Sequence, residues 1–215
     1  WLWQNGGSSQ SLNCINVIDQ NTVFIGGGSS NISVHSHILK TTNGGLNWNT
    51  ISVGTQYYPS VHFIDVNTGI ICGSNGTIFR TTNSGLNWIQ PSSGVTELLN
   101  TMKCLQTGNY YIGTSLGKIL KSTNYGANWN IVNTGTTDQI TSIDLLNATT
   151  GFFTTSTGKI FKTTNNGDNW SMVFSNADIY LTKLCVPVVN GSSIIAFGYL
   201  GIILSSTDSG SNWNI

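Results

Sequence analysis

The chain repeats one eight-residue segment five times, and every copy ends in tryptophan. The second copy, residues 81–88, reads Thr-Thr-Asn-Ser-Gly-Leu-Asn-Trp. The five tryptophans are separated by 40, 41, 41 and 43 residues, and they stand at Trp48, Trp88, Trp129, Trp170 and Trp213. A fixed period of this length is typical of repeat architectures. We therefore divide the chain into five units, approximately residues 1–48, 49–88, 89–129, 130–170 and 171–213.

Each unit has the pattern of four short strands. In the second unit, apolar or β-branched runs at residues 60–64, 70–73, 77–81 and 88–90 alternate with turns that contain glycine or asparagine. Runs of this kind, separated by such turns, are typical of antiparallel strands. Four strands in about 42 residues is the size of one β-propeller blade. The sequence thus predicts an all-β fold, a single β-propeller domain over residues 1–215 with four-stranded blades.

The two ends of the chain carry the same type of strand. Residues 1–5 match the segment that follows the tryptophan in the other units, as at residues 129–133. The fourth strand is therefore present six times and the other three strands five times. Two alternatives follow: five blades that close into a ring with one surplus strand, or a section of a larger ring. We favour five closed blades.

The recurring segment has the chemistry of a turn between two strands. Its asparagine or aspartate accepts hydrogen bonds from nearby backbone N–H groups, its glycine tolerates a positive φ, and its tryptophan buries a large apolar face. The segment resembles the Asp-box, or BNR repeat, written S/T-x-D-x-G-x-T/N-W. Four copies have asparagine in place of the aspartate. The box residues are Asn43, Trp48, Asn83, Trp88, Asn124, Trp129, Asn165, Trp170, Asp208 and Trp213.

This resemblance implies the fold and leaves the function open. In families that carry it, the Asp-box is a structural turn on the propeller rim, away from the ligand-binding face. Its spelling here is most similar to photosystem II assembly factors of the Ycf48 kind and to secreted bacterial BNR-repeat proteins. The same blades occur in sialidases and in xyloglucan-degrading glycoside hydrolases, so shared blades do not imply shared chemistry.

The charge balance excludes two classes of partner. Eight basic residues balance eight acidic ones, and charged residues make up only 7 % of the chain. A nucleic-acid binder needs a basic footprint, and so does a protein held at anionic lipid. No apolar run approaches the roughly 20 residues that span a bilayer, so we expect no membrane insertion. Low charge and a start on Trp1 predict an extracellular or cell-surface protein whose signal peptide has been removed.

The sequence offers no strong catalytic signature. The single arginine, Arg80, excludes a sialidase-like site, which the family resemblance implies would need three. The carboxylates in loops between blades, Glu97, Asp138 and Asp178, are the candidates for a glycosidase pair. The G-x-S-x-G, phosphate-loop and H-E-x-x-H motifs are missing from the sequence. We predict a protein that is not an enzyme and that uses no cofactor.

A metal site is not indicated either. His35 and His37 stand on one face of a predicted strand and His62 follows in the next unit, with no further ligand at suitable spacing. Cys14, Cys72, Cys104 and Cys185 form no C-x-x-C pair, which argues against a zinc ribbon. They are either thiols or two disulfides. If five blades close, the first and fifth are neighbours, and we predict pairing of Cys14 with Cys185 and of Cys72 with Cys104.

The binding residues are expected in two kinds of loop, those that join the blades and those between second and third strands. On propellers of this kind these loops lie on the ligand face. Tyrosines beside amides suit a protein epitope or a neutral glycan. The candidates are Gln56, Tyr57, Tyr58, Glu97, Asp138, Gln139, Asp178, Tyr180 and Tyr199.

We therefore predict a non-catalytic, secreted or surface propeller that serves as a protein-binding or scaffolding module, alone or as part of a larger chain or assembly. Its partner is a protein or a neutral glycan, and not a nucleic acid. The alternative is a lectin-like or glycoside-hydrolase-related propeller that acts on neutral polysaccharide.

Overall fold

The computed structural model describes residues 11–28, 37–54, 56–105, 107–186 and 193–215. These residues form antiparallel β-sheets, so the predicted all-β fold is confirmed. They group into two compact units, and the single domain over the whole chain stays a prediction. The first unit holds Trp1–Leu99, Gln106–Asn109 and Ser122–Trp129, and the second holds Asn100–Leu105, Tyr110–Lys121 and Asn130–Ile215.

The first unit contains two sheets with their strands in sequence order. A residue pair between Arg80 and Ile89 adds the fourth segment of the second sheet, as an isolated bridge. The first sheet has β1 (Leu12–Val17), β2 (Val23–Gly27), β3 (His37–Thr41) and β4 (Asn49–Ser52), and the second has β5 (Ser60–Phe63), β6 (Gly69–Cys72) and β7 (Ile78–Thr81).

The second unit contains nearly all of three further sheets, again in sequence order. The third sheet has β8 (Leu99–Cys104), β9 (Tyr110–Thr114), β10 (Lys118–Ser122) and β11 (Asn130–Asn133). The fourth has β12 (Ile140–Leu145), β13 (Gly151–Thr155), β14 (Lys159–Thr163) and β15 (Ser171–Ser175), and the fifth has β16 (Leu181–Cys185), β17 (Ile194–Gly198) and β18 (Ile203–Ser206). A bridge between Ser205 and Asn214 stands where a fourth strand would be.

The core of each unit lies between neighbouring sheets. In the first unit, the rings of Phe24 and Phe63 are stacked, with their centroids 3.6 Å apart. This contact joins the second strand of the first sheet to the first strand of the second sheet. In the second unit, Tyr111 and Ile143 belong to one buried cluster, and Phe152 and Leu184 to another. Apolar faces of successive sheets are therefore buried against each other, as in the blades of a propeller.

A polar side chain on the first strand also joins successive sheets. Asn16 Oδ1 accepts a hydrogen bond from the Phe63 N–H at 2.8 Å. At the equivalent position of the fourth sheet, Asp144 Oδ2 accepts from the Val186 N–H at 2.8 Å. The same carboxylate forms an ion pair with Lys103 Nζ at 2.6 Å. These bonds fix the register between sheets, because a buried N–H without an acceptor is costly.

Across the part of the chain that the structure describes, no helix has the length and the apolar character needed to cross a lipid bilayer.

Candidate functional site

The Asp-box hairpins are closed by their own side chains. In the second box, Thr81 Oγ1 accepts from the Gly85 N–H at 3.0 Å and donates to Asn83 Oδ1 at 3.0 Å. Asn83 Oδ1 also accepts from the Asn87 N–H at 2.9 Å. In the other four boxes the backbone N–H of the box glycine likewise donates to a side-chain hydroxyl oxygen, that of Thr41, Ser122, Thr163 or Ser206. The acceptor oxygens of the boxes are thus used within the turn, which leaves ligand contacts to other loops.

The loops that join the sheets lie beside the turns between second and third strands. The Ser74 N–H donates to the Tyr57 carbonyl oxygen, and the Ser156 N–H donates to that of Gln139, both at 3.0 Å. The Tyr199 N–H makes the equivalent bond to the Tyr180 carbonyl oxygen, also at 3.0 Å. One repeated backbone bond therefore holds three of the joining loops, those before the second, fourth and fifth sheets, against the turn of the sheet that follows.

In the second unit these loops enclose a groove of about 760 Å³. Its wall combines one turn of the fourth sheet, the loop before the fifth sheet and the turn between β17 and β18. Its lining is mainly apolar, and consists of Ser156, Thr157, Ala177, Asp178, Ile179, Tyr180, Tyr199, Leu200 and Ile202. Three of the predicted binding residues, Asp178, Tyr180 and Tyr199, are brought together here.

Two tyrosines in the lining of this groove form a stacked pair. The ring centroids of Tyr180 and Tyr199 lie 4.6 Å apart, and the ring planes differ by 8°. Beside them Leu200 is 99 % exposed and has a φ of +58°. A leucine in the left-handed region is strained by about 1–2 kcal/mol. The turn therefore presents an apolar side chain to solvent in a conformation that asparagine or glycine would adopt more readily.

The first unit has a smaller and more polar groove of about 400 Å³. It lies between the turn at Asn75 and the loop 90–96 that leads to the third sheet. Asn75 Nδ2 donates to Gln56 Oε1 at 3.0 Å, so Gln56, a predicted binding residue, lies at this turn. Tyr57 is half-buried nearby, and burial raises its pKa. Glu97 is half-buried, and its carbonyl oxygen accepts from the Gly76 N–H at 2.8 Å.

Asp138, a candidate for the glycosidase pair, is held by its own sheet. Its Oδ2 accepts from Lys159 Nζ at 2.8 Å and from the Thr157 hydroxyl at 2.6 Å. The bond from Lys159, followed by that from Thr157, lowers the pKa of Asp138. A carboxyl group with a lowered pKa is a poor general acid, because at neutral pH it is already deprotonated and has no proton to donate. Gln139, the next residue, contributes its carbonyl oxygen to the turn at Ser156.

Tyr58, which the sequence predicts as a binding residue in a loop, is a core residue in the structure. It is 0 % exposed, belongs to the buried cluster between the first two sheets, and its hydroxyl donates to the Val53 carbonyl oxygen. Burial raises the pKa of Tyr58 to about 12. The side chain is satisfied inside the sheets and offers nothing to a ligand, whereas the neighbouring Tyr57 remains half-buried.

The described residues contain no group of three or more metal-ligating side chains. His37 and His62 lie on β3 and β5, and His35 lies outside the described residues. All four cysteines lie among the described residues, and Cys72, Cys104 and Cys185 are present as thiols in this structure. Each predicted disulfide would link the first unit to the second, and both pairings stay predictions.

The apolar residues of the larger groove lie in or beside loops that the sequence predicted to bind, but they were not among the predicted binding residues. Ile179 is buried, and Leu200 and Ile202 join it in the lining. The available signal was the alignment of the turn 199–201 with the turn 74–76, in which Leu200 stands where Asn75 does. A leucine at an asparagine position of a tight turn breaks the local rule for turn residues, and such exceptions often mark functional sites.

Comparison with known proteins places these features in a family. Residues 40–191, more than half of the chain, match the sequence profile of the family described as "Photosynthesis system II assembly factor YCF48". No curated protein compared with the chain is a significant match. The extracellular or cell-surface location predicted from composition is wrong, because photosystem II assembly factors work in the thylakoid lumen or in cytoplasm-side compartments.

Solved structures similar to the chain have the same fold. A structure of YCF48 bound to a D1 peptide has a TM-score of 0.74 and 19 % identity, over 96 % of this chain and 67 % of that one. The GH74 xyloglucanase of Xanthomonas campestris has a TM-score of 0.77 and 11 % identity, over 94 % and 38 % of the two chains. The GH74 enzyme of Niastella koreensis has a TM-score of 0.68 and 20 % identity, over 94 % and 31 %. The chain thus spans about a third of the length of these enzymes.

Proposed function

Because the chain belongs to the family of photosynthesis system II assembly factor YCF48, we propose that it is a non-catalytic protein-binding module. Its partner is an unfolded or extended segment of a photosystem II subunit, which lies in the groove of the second unit. The observation that carries this proposal is the stacked pair of Tyr180 and Tyr199 beside the fully exposed Leu200.

The groove has the chemistry of a peptide-binding hot spot. Tyrosines supply large contact areas and lose little conformational entropy, and they are enriched where binding energy concentrates. The stacked pair is already held in place by the bond between the Tyr199 N–H and the Tyr180 carbonyl oxygen. Burial of an exposed leucine side chain contributes about 1.5–3 kcal/mol. A peptide that covers Leu200 and the tyrosine faces therefore gains apolar burial without much reordering of the protein.

The solved relative guides the choice of partner. The YCF48 structure holds a D1 peptide, and membership of its family makes D1 segments the first probes for this chain. Asp178 at the rim favours a peptide with a basic or amide side chain beside an apolar one, because an exposed carboxylate attracts donors. The choice of peptide would depend on the residues of the groove and not on the net charge of the chain, because the chain is neutral overall.

A carbohydrate function is the second candidate, and the same tyrosines favour it. Stacked rings suit the apolar faces of sugars, and the GH74 likeness concerns enzymes that act on xyloglucan. Glu97, Asp138 and Asp178 would be the acids of a hydrolase. The ion pair of Asp138 with Lys159 opposes this role, because the pair stabilises the deprotonated form.

Binding is tested by fluorescence polarisation with overlapping labelled peptides that cover the D1 sequence. We expect saturable binding by at least one peptide, weakened tenfold or more by Tyr199→Ala and by Leu200→Asn. Asparagine occupies the same backbone conformation at Asn75, so Leu200→Asn removes the apolar contact without new strain. Leu86→Asn, in the second box, is the control because Leu86 is 81 % exposed but lies outside the groove.

The carbohydrate candidate is tested in parallel with a glycan array and a reducing-sugar assay on xyloglucan. Glycan binding that Tyr199→Ala abolishes, with no D1 peptide bound, would replace the proposal with a lectin function. Sugar released by the native chain and lost with Asp178→Asn would replace it with a hydrolase. Peptide binding unchanged by Leu200→Asn would place the site elsewhere.

The number of blades in the complete ring also belongs to this proposal. Five closed blades and a section of a larger ring remain the two alternatives.

A further inference from the structure

The larger groove joins two turns of different character. Its polar end is the turn of the fourth sheet at Thr157, and its apolar end is the turn of the fifth sheet at Leu200. The loop before the fifth sheet is bonded to both turns, since the Asn176 N–H donates to the Gly158 carbonyl oxygen at 3.1 Å. The groove therefore runs along this loop, from a polar end to an apolar end.

One pair of positions distinguishes the two turns. The first position precedes the loop residue whose carbonyl oxygen accepts from the turn, and the second position follows the turn glycine. In the fourth sheet these positions hold Asp138 and Lys159, which form an ion pair with 2.8 Å between Oδ2 and Nζ. In the fifth sheet they hold Ile179 and Ile202. An apolar pair thus stands where the preceding sheet has an ion pair.

The apolar pair is particular to the fifth repeat. At the same positions the second and third repeats have polar or charged residues, Gln56 with Thr77 and Glu97 with Lys118. Ile179 is 8 % exposed, and Ile202 packs against the buried cluster to which Ile179 belongs. The exchange therefore brings the apolar core of the last two sheets to the surface of the groove, where a ligand can contact it.

A carboxylate lies in the loop between the two ends. Among the described residues that line the groove, Asp178 is the one that carries a charge, and it is exposed. At the polar end, Asp138 is bonded to Lys159 and to the Thr157 hydroxyl, so the charges of that pair cancel. Asp178 therefore leaves a net negative charge in the middle of the groove, which attracts a basic side chain and repels an acidic one.

The spacing of the two turns sets the size of the segment that can occupy the groove. Neighbouring sheets pack about 10 Å apart, and an extended chain rises about 3.3 Å per residue. A segment of about five residues is therefore long enough to cover both turns. Side chains on one face of an extended chain recur at every second residue. The first, third and fifth side chains of such a segment can thus face the groove together.

Given the proposed function, on which this step rests, we infer that the groove selects an extended peptide with an apolar, a basic and a small polar residue at alternate positions. The apolar residue packs on Tyr199 and Leu200, and the basic residue faces Asp178. The polar residue lies over Thr157. A large apolar residue is rejected at this last place, because it would remove water from the ion pair beside it.

The first test is a charge exchange between the protein and its ligand, measured by fluorescence polarisation. Labelled host peptides of about ten residues carry Leu-Gly-Lys-Gly-Ser, or the same five residues in reverse order, between flanks of glycine and serine. A second set has glutamate in place of the lysine, and a third set has the lysine moved by one position. The proteins are the native chain, Asp178→Lys and the control Ser171→Lys, which adds a positive charge at an exposed site on β15.

We expect the native chain to bind the lysine peptide about three- to tenfold more tightly than the glutamate peptide, in at least one of the two orders. Asp178→Lys should reverse this preference, and Ser171→Lys should leave it unchanged. The peptide with the displaced lysine should lose the advantage, because its lysine then points away from the groove. Asp178 is exposed, so its substitution changes the charge without disturbing the core.

The second test transfers the apolar pair to the fourth sheet. Asp138→Ile combined with Lys159→Ile gives the fourth sheet the residues of the fifth, at two half-buried positions. The native chain should bind host peptides with serine at the last place about threefold more tightly than those with leucine. The double variant should prefer leucine, because the new isoleucines replace the ion pair with an apolar surface.

The outcomes separate this selection from the proposed function. Lysine and glutamate peptides that bind equally, or a lysine preference that persists in Asp178→Lys, would overturn the inference and leave the proposed function standing. So would a serine preference that the double variant keeps, or D1 peptides that bind while no host peptide does. If neither the host peptides nor the D1 peptides bind the native chain, the proposed function fails, and the selection inferred from it fails too.

Discussion

Lys162 Nζ donates a hydrogen bond to the carbonyl oxygen of Ser209 at 2.7 Å, and so joins the third strand of one sheet to the Asp-box of the next. The same bond recurs between Lys40 and Ser84 at 3.1 Å. Arg80 Nε makes it to the carbonyl oxygen of Tyr125 at 2.7 Å. In the third sheet, Lys121 contacts the box side chain of Asp168 instead, at 2.6 Å. With Lys103, which pairs with Asp144 of the following sheet, five of the eight basic residues are thus used between sheets, which leaves few for a charged ligand.

Removal of one such cation should destabilise the second unit measurably. Lys162→Met keeps the aliphatic stem beside Phe152 and loses the bond to Ser209. We expect a loss of about 1–2 kcal/mol in the free energy of unfolding, because bonds to charged donors contribute more than neutral ones. Urea denaturation measures it. Lys183→Met is the control, since Lys183 is exposed on β16. Equal effects of the two substitutions would show that the contact contributes nothing.

The sequence predicted the strands well because the repeat states the same local rules five times. A glycine or asparagine at each turn and an apolar run between turns agree in every unit, so errors in one copy are corrected by the others. The box hydrogen bonds are local in the same way, since donor and acceptor lie within four residues.

The site was predicted only in part, because it depends on neighbours that one repeat does not encode. Tyr180 and Tyr199 could be assigned to adjacent loops, whereas their stacking depends on how two sheets are spaced. Tyr57 and Tyr58 look alike in sequence, and only the packing of the first two sheets decides which is buried. Ile160 and Ile203 are equivalent in sequence and opposite in exposure for the same reason. The predicted extracellular or cell-surface location was wrong because composition alone does not determine the compartment in which a protein works.

The one box with aspartate in place of asparagine at the turn position, Asp208, should give the chain an acid-dependent component of stability that the other boxes lack at this position. The backbone N–H of Asn212, then its side chain and the Ser206 hydroxyl, lower the pKa of Asp208 to about 2, from an ordinary value of 3.8. Because the folded pKa is depressed, this contribution is complete above the unfolded pKa and is lost as pH falls from about 4 to about 2. Asp208→Asn should flatten the decline of stability in this window, measured by urea denaturation from pH 7 to pH 2.

The reverse exchange provides the matched test. Asn165 stands at the same box position, with Oδ1 accepting from the Asn169 N–H at 3.0 Å. Asn165→Asp should introduce a carboxyl group that titrates in the range of Asp208, observed by carbon NMR of the labelled aspartates. Both variants should match the original chain at pH 7, because an amide oxygen and a carboxylate both accept the turn hydrogen bonds. A large loss at pH 7 in either would contradict this account.

The acceptor role of Asp144 should be separable from its charge. Asp144→Ala leaves the buried Val186 N–H without its acceptor and should cost about 2–4 kcal/mol. Asp144→Asn keeps an acceptor and loses the ion pair with Lys103, and should cost less than half as much, because Asn16 plays the same role in the first sheet. Asp65→Ala in an exposed turn is the control, with a loss of about 1 kcal/mol. Equal losses for Asp144→Asn and Asp144→Ala would assign the effect to charge.

The four thiols should react with iodoacetamide in an order set by burial. Cys185 is exposed and should be modified first in the native protein at pH 8. Burial raises the pKa of Cys104 to about 11 and raises that of Cys72 further, so both should remain protected until unfolding. Peptide mass mapping measures the order. Protection of Cys185 that a reductant relieves would support the predicted disulfide with Cys14, and immediate labelling of all four would contradict the buried positions of Cys72 and Cys104.

Two turn glycines with the same backbone conformation should respond differently to alanine. Gly158 has a φ of +71° and Gly201 a φ of +75°, so each alanine variant bears the same left-handed strain of about 1–2 kcal/mol. At Gly158 the new Cβ would also lie 2.0 Å from the Asn176 carbonyl oxygen, whereas at Gly201 it would meet open space. We expect Gly158→Ala to cost about 3–5 kcal/mol in urea denaturation, as overlap with backbone adds to the strain, and Gly201→Ala to cost about 1–2 kcal/mol. Equal losses would show that φ alone explains both glycines, and that the loop crossing Gly158 is free to move aside.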